Sequence, residues 1–371
     1  MQSARTYREK STKLAGDRIG RFDSVRNSAA NARTMQEEEM LSGLYDRRLR
    51  LAALVGAAVA IFALSGVSSR ADDYPSRNIT LIVPSPPGGG TDTQARILAP
   101  KLSQILGKTI IIENRPGASG NIGAQAVSQA APDGYTLLAM ISSHVINQFV
   151  LKSVPYNLDK DFAMISRTVT VPGALIGNPS VPANNLSELL TYLKANPGKV
   201  AYGSAGVGSL SHLIVELFEE DTGTKLLHVP YRGTQPALND TLSGQVALDV
   251  PDLTLAIEQV KASKLRAFGV TSAQRSAAAP DIPTLAEQGV TGFNAVQWFG
   301  LCALAGTPPA IINRLHAAVV TALNDPDVKA RYAKLAMTPE PSASPAEYAQ
   351  FVHDEGLRWG KVVKDAHVTA K

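Results

Sequence analysis

Three short segments combine glycines, hydroxyls and an imidazole in patterns suited to holding a small anion. In the first, Pro84-Ser85-Pro86-Pro87-Gly88-Gly89-Gly90-Thr91-Asp92, three glycines precede Thr91 and Asp92. Glycines let a backbone approach a ligand closely, and Thr91 or Asp92 would cap a helix whose first amides point at the same spot. The second, Gly203-Ser204-Ala205-Gly206-Val207-Gly208-Ser209 with His212, offers backbone donors, two hydroxyls and an imidazole one turn into a helix. Ile141-Ser142-Ser143-His144 is a shorter third version. The chemistry on offer is N–H and O–H donation to a carboxylate, which needs neither an arginine nor a metal. For any one segment the plain alternative is a tight turn whose backbone shape demanded glycine or serine. Three of them at strand exits favour a site.

Patterns that would catalyse are absent or poor. The chain has no Gly-x-Ser-x-Gly elbow, no Gly-x-Gly-x-x-Gly at a strand exit, no His-Glu-x-x-His and no paired-cysteine metal spacing. Gly107-Lys108-Thr109 leads into a strand and reads as a helix C-cap, not the end of a phosphate loop. Ser209 and His212, three apart, fit a helix cap and a first-turn polar residue as well as a nucleophile and base. Asp249 and Asp252 end a strand and could face a cleft, although an N-cap is the plain role for Asp252. Binding is therefore expected, without enzymatic activity, cofactor or metal.

The elements that must position these loops follow from periodicity. Ile79 to Val83, Thr109 to Glu113, Tyr135 to Ile141, Val200 to Gly203, Lys225 to Val229, Val246 to Val250 and Leu265 to Thr271 read as strands, with helical patterns between most of them. That alternation predicts an α/β fold with mostly parallel sheets, whose ligands bind at the strand C-termini. Asn185 and Glu188 form a capping box opening a helix that Pro197-Gly198 closes. Leu210, Leu213, Ile214, Leu217 and Phe218 make one buried helical stripe ending at Gly223, while Pro100 predicts a kink between Thr91 and Leu106. No linker separates domains. Two interwoven domains are expected, with crossings in the extended stretches Thr168 to Asn178 and Asn294 to Leu304: domain 1 over 72–173 and 295–371, domain 2 over 174–294.

The 371 residues carry a formal charge of +4, a balance that hints at nucleic acid or an anionic membrane. The hint belongs to the N-terminus. Residues 1–71 hold twelve Lys/Arg against seven Asp/Glu, leaving 24 against 25 in the other 300. Arg47-Arg48-Leu49-Arg50, the apolar run Leu51 to Val67 and the small exit Ser69-Arg70-Ala71 read as a signal peptide over 47–71, preceded by a disordered or untranslated extension over 1–46. A near-neutral mature chain, exported from the cytoplasm, attracts neither nucleic acid nor anionic lipid by bulk charge. The single cysteine, Cys302, has no intrachain partner and reads as a buried small apolar residue.

At its loops the chain resembles the Bug family, the periplasmic solute receptors of tripartite tricarboxylate transporters. The matching stretches include Pro86-Pro87-Gly88-Gly89-Gly90-Thr91-Asp92, Glu113-Asn114-Arg115-Pro116-Gly117-Ala118, Ala131-Pro132-Asp133-Gly134-Tyr135, Tyr202-Gly203-Ser204-Ala205-Gly206, His228-Val229-Pro230-Tyr231-Arg232-Gly233 and Trp298-Phe299-Gly300-Leu301, in order from Tyr74 nearly to the C-terminus. The resemblance implies a two-lobed fold like that of type II periplasmic binding proteins, closing by hinge motion on a small organic carboxylate in a central cleft and delivering it to membrane permease subunits. A ligand sensor docking on a membrane signalling protein is the alternative, and a monomer is expected. The implied binders are Ser85, Gly88, Gly89, Thr91, Asp92, Ser142, Ser143, Ser204, Ala205, Gly206, Gly208, Ser209, His212 and Asp252. Two departures stand out: Ser85 replaces the phenylalanine usual in the family, and Pro251, between Asp249 and Asp252, occupies a position where the family commonly shows an aspartate.

Overall fold

The computed structural model describes residues 74–369. The leader, with its extension over 1–46 and signal segment over 47–71, lies outside the described residues, among which no helix is long and apolar enough to cross a membrane. Strands and helices alternate from the start: β1 (Ile79–Val83), α1 (Gly90–Leu106), β2 (Ile110–Asn114), a 3-10 turn at Ala118–Gly120, α2 (Asn121–Ser128), β3 (Thr136–Ile141), α3 (Ser142–Val150), α4 (Leu158–Asp161) and β4 (Phe162–Pro172). After Gly173 come β5 (Ala174–Gly177), α5 (Leu186–Ala195), β6 (Ala201–Ser204), α6 (Leu210–Thr222), β7 (Leu227–Pro230), α7 (Thr234–Ser243), β8 (Leu248–Asp249), α8 (Leu253–Lys261) and β9 (Arg266–Val270). The chain ends with β10 (Val296–Leu304), α9 (Pro309–Asn324), α10 (Pro326–Ala333), β11 (Thr338–Pro339) and α11 (Pro345–Asp365).

Two sheets result, one ordered β11-β4-β10-β3-β1-β2 and the other β7-β6-β8-β5-β9. Both are mixed, not mostly parallel. Strands joined through a helix run parallel, as β1 does with β2 and β3, and β6 with β7 and β8. The strands that carry the chain between sheets run the other way: β10 pairs antiparallel with β3 and β4, and β5 with β8 and β9. The stretches read as extended crossings are thus themselves strands. Thr168 to Asn178 is the end of β4, Gly173 and β5, while Asn294 to Leu304 is chiefly β10, paired along its length with β4.

Local rules explain most boundaries. The Asn185 side chain accepts the Glu188 N–H at 2.9 Å, and Glu188 reaches back one residue further than a simple box, accepting the Asn184 N–H at 2.7 Å. Gly223, at φ +63°, ends α6 with its N–H on Glu219 O, a left-handed cap that only glycine takes without strain. Helix α1 runs unbroken through Pro100, where a kink is expected from the missing N–H. The α6 stripe buries Leu213, Ile214 and Phe218, each side chain contributing roughly 2 kcal/mol.

Helix α11 joins two cores. Tyr348 and Val352 pack with Trp298 and Cys302 of the first sheet, whereas Trp359, Val362 and Val363 pack with α6 residues on the second. Between them Glu355 Oε2 accepts the indole N–H of Trp298 at 2.8 Å and of Trp359 at 2.9 Å. Cys302 is fully buried, and burial pushes its thiol up, out of the reactive range.

Candidate functional site

The loop from β1 to α1 is held by its own aspartate. Asp92 is buried and accepts from Gly88 N–H at 2.8 Å, Arg96 Nε at 2.8 Å and Asn114 Nδ2 at 2.9 Å. Burial acts to raise this carboxyl, but the three donors outweigh it and keep the group below its ordinary range. The Gly88 N–H is thereby occupied, and the Gly89 N–H donates to Pro86 O at 3.2 Å. Amides expected to meet a ligand are thus engaged inside the loop, and what the loop presents is the start of α1, which has no side-chain cap. Thr91 is buried on that first turn, and Ser85 Oγ is buried without a hydrogen-bond partner.

A shared histidine device fixes the other two loops. His144 and His212 are each the third residue of their helix. His144 Nδ1 accepts the Ile141 N–H at 3.2 Å and its Nε2 donates to Gly120 O at 3.2 Å; burial pushes the imidazole down to about 4. His212 Nδ1 accepts the Gly208 N–H at 3.0 Å, and its Nε2 lies 3.2 Å from Glu216 Oε1. An acceptor at Nδ1 fixes the tautomer with the proton on Nε2. His228 stacks on His212 with centroids 3.8 Å apart and sits 2.6 Å from Ser204 Oγ, while burial, reinforced by His212, pushes it down to about 4. The Gly206 N–H donates to Ser204 Oγ at 3.1 Å. In this arrangement Ser204, Gly206, Gly208 and His212 hold the loop and have their polar groups engaged within it. Gly208 has a steric reason too: at φ +73°, a Cβ there would collide with Val150 Cγ1 of α3.

What the loops enclose is a cavity of about 170 Å³ between the two sheets. Helix N-termini surround it. Ser143 comes from the first turn of α3, Ser209, Leu210 and Ser211 from the start of α6, Thr234 from the first position of α7, and Asp252 from the cap position of α8. Gln297 of β10, Ala205, Ile214, Val250, Pro251 and the crossing residue Gly173 complete the wall. Four helix starts each contribute a partial positive charge of roughly half a unit, so the cavity favours an anion although no lysine, arginine or histidine lines it. The hydroxyls are ordered: Ser209 Oγ caps α6 by accepting the His212 N–H at 3.3 Å, and Ser211 Oγ accepts the Ala205 N–H at 3.0 Å. Asp252 differs, since its side chain makes no cap hydrogen bond and burial pushes it up to about 6.

Of the residues singled out in the sequence, Ser143, Ala205, Ser209 and Asp252 meet around this cavity. Ser142 lies behind it, fully buried, donating to Gln297 Oε1 at 2.9 Å. Ser85, Gly88, Gly89, Thr91 and Asp92 do not line it; their loop packs on β10, where a side chain on Gly90 would stand 3.7 Å from Phe299 Cζ, two residues from Gln297 on the same strand face. Ser211, Thr234 and Gln297 were missed. Thr234 had a signal, since Pro230 to Gly233 leads from a strand through glycine to a hydroxyl at a helix start, as in the other loops. Gln297 had none, being one amide in an apolar strand. A larger groove of about 420 Å³ between α6 and α11 is lined by Glu216, Glu219, Glu220, Lys225 and Asp365, too acidic to attract a carboxylate. Among the described residues no cluster of His, Cys, Asp and Glu is placed to hold a metal ion.

Comparison with known proteins follows the same direction. Residues 94–368 match the family described as "Tripartite tricarboxylate transporter family receptor". Protein BugT of Bordetella pertussis is 38% identical over 324 residues, 87% of this chain and 99% of that one. Among solved structures, Rpa4515 of R. palustris with adipate is 34% identical, with a TM-score of 0.72 over 80% of this chain and 100% of that one. The periplasmic binding protein BugD is 35% identical, with a TM-score of 0.69 over 80% and 100%.

Proposed function

We propose, for a chain that belongs to the tripartite tricarboxylate transporter receptor family, that it captures a small organic carboxylate between its two sheets and delivers it to a membrane permease. It is a receptor and not an enzyme. The observation that carries the carboxylate is the convergence of four helix N-termini on one cavity without a basic side chain. Ser143, Ser209, Ser211, Thr234 and Gln297 supply directional donors around the anion, and the loop over 85–92, kept in shape by Asp92, flanks them. The cavity is close in size to one that holds a benzene ring, about 150 Å³, which suits a chain of four to six carbons. Rpa4515 with adipate supplies a relative of matching ligand chemistry. Closure gains contacts from both sides, so ligand shifts the open–closed equilibrium by its differential affinity.

Isothermal titration of the purified protein against dicarboxylates, tricarboxylates, acidic amino acids and aromatic acids tests the reading. One-to-one binding of a small carboxylate, lost in Ser209→Pro and weakened in Ser143→Ala, is the expected result. Binding untouched by both substitutions would place the ligand elsewhere. Uptake of the bound compound in cells with and without the adjoining permease genes separates delivery from sensing.

A further inference from the structure

Asp252 is out of place in a cavity built for anions. It lines the wall beside Thr234 and Gly173, at the cap position of α8, yet among the described residues it accepts no cap hydrogen bond and has no ion-pair partner. On α8 and on the strands it packs against, the charged side chains have other partners. Arg167 of β4 pairs with Glu340 at 2.9 Å, Arg266 of β9 donates to the carbonyls of Val181 and Ala183, and on α8 itself Glu258 pairs with Lys261 at 3.3 Å. Asp249 of β8 is fully buried, its Oδ1 accepting the Val250 N–H at 2.7 Å while its Oδ2 has no partner among the described residues; burial pushes it up to about 8, so it enters the cavity region as a neutral acid and not as a counter-charge. A carboxylate ligand entering this cavity therefore meets a second carboxyl with no basic side chain between them, and the partial charges at the helix starts must serve both. Two carboxyl groups at close range do not both stay ionised; they share a proton or one yields to a neutral donor.

We propose that Asp252 sets ligand choice by sharing one proton with the bound molecule. Dicarboxylates of four to six carbons are then held with one proton shared between ligand and Asp252, supplied partly by Asp252 itself near pH 6 and almost wholly by solvent at pH 8, where Asp252 and ligand are both ionised before they meet. A ligand whose second carboxylate is replaced by an amide brings its own N–H donor and binds without proton uptake. This inference rests on the carboxylate-receptor reading above. Burial of Asp252, which places its titration near 6, sets the working range: a group half protonated at pH 6 is about one-hundredth protonated at pH 8, so dicarboxylate affinity falls about fifty-fold between them.

The test is calorimetric titration of C4 to C6 dicarboxylates and their mono-amides into wild type and Asp252→Asn, at pH 6 and pH 8, in buffers of different ionisation enthalpy. For wild type the expected result is a roughly fifty-fold weaker dicarboxylate at pH 8 with close to one proton taken up, against pH-independent mono-amide binding. In Asp252→Asn the side-chain amide donates to the ligand carboxylate, so dicarboxylates bind equally at both pH values with no proton uptake, and an unchanged circular dichroism spectrum shows that the fold is kept. Dicarboxylate binding by wild type that is independent of pH, or proton uptake that survives in Asp252→Asn, overturns the proton sharing alone. No binding by any member of the series in either protein overturns the receptor reading beneath it.

Discussion

Substituting alanine for Gly208 tests how the two sides of the molecule meet. The glycine sits in the second-sheet loop at φ +73°, and an added Cβ would collide with Val150 Cγ1 and lie 3.0 Å from Val150 Cγ2. Val150 ends α3 and is buried among second-sheet side chains. Left-handed backbone costs a non-glycine residue about 1–2 kcal/mol, and forcing a methyl into a packed contact costs about 1–3 kcal/mol. Gly208→Ala is therefore expected to destabilise by about 3 kcal/mol, a fall in Tm of roughly 5 °C for a chain of this size. The discriminating measurement is a double-mutant cycle by urea unfolding. In a Val150→Ala background both colliding methyls are gone and what remains is the backbone cost with a 3.1 Å approach to the Val150 Cβ, which can give by a few tenths of an ångström, so Gly208→Ala should cost about 2 kcal/mol there. An equal cost in both backgrounds would refute the contact, and a neutral Gly208→Ala would refute the loop conformation itself.

Two other outcomes follow from the loop supports. Asp92→Asn keeps an acceptor for Gly88 N–H but loses the charge-assisted bond from Arg96, and should lower stability by about 1–3 kcal/mol at pH 7; because the Asp92 carboxyl titrates below its ordinary value when folded, its contribution is complete above 3.8 and is lost as pH falls further, so urea midpoints of wild type and variant should converge in strong acid. His144 titrates near 4 when folded against 6.5 when unfolded; the unfolded chain binds more protons between those values, so stability should fall by roughly 3 kcal/mol as pH drops through that window, and His144→Gln should flatten the urea-midpoint profile there.

The strand-exit loops were legible because glycine and hydroxyl residues at the end of a β-branched run announce a turn into a helix. Their internal bonds were not. Nothing in the spacing of Gly88 and Asp92 distinguishes an amide offered to a ligand from one donated to the aspartate four residues on, and the same holds for Gly208 and His212. His212 read as a first-turn polar residue and His144 only as the end of a short hydroxyl segment; their role as acceptors for a backbone N–H depends on ring orientation, which burial fixes. Thr168 to Asn178 and Asn294 to Leu304 read correctly as extended but not as sheet members, because their antiparallel partners lie far along the chain, beyond any local pattern. Gln297 was lost with them.

The chain holds two tryptophans, Trp298 on β10 and Trp359 on α11, and both hydrogen-bond the same oxygen of Glu355 where the helix passes from one core to the other. Ultraviolet emission from this protein thus has a single address. Movement of the loops or entry of ligand should leave that signal unchanged unless the joint beneath α11 shifts, so the natural fluorescence is an optical gauge of that joint built into the fold. A ligand that binds silently leaves the joint seated, and one that changes the emission has turned it.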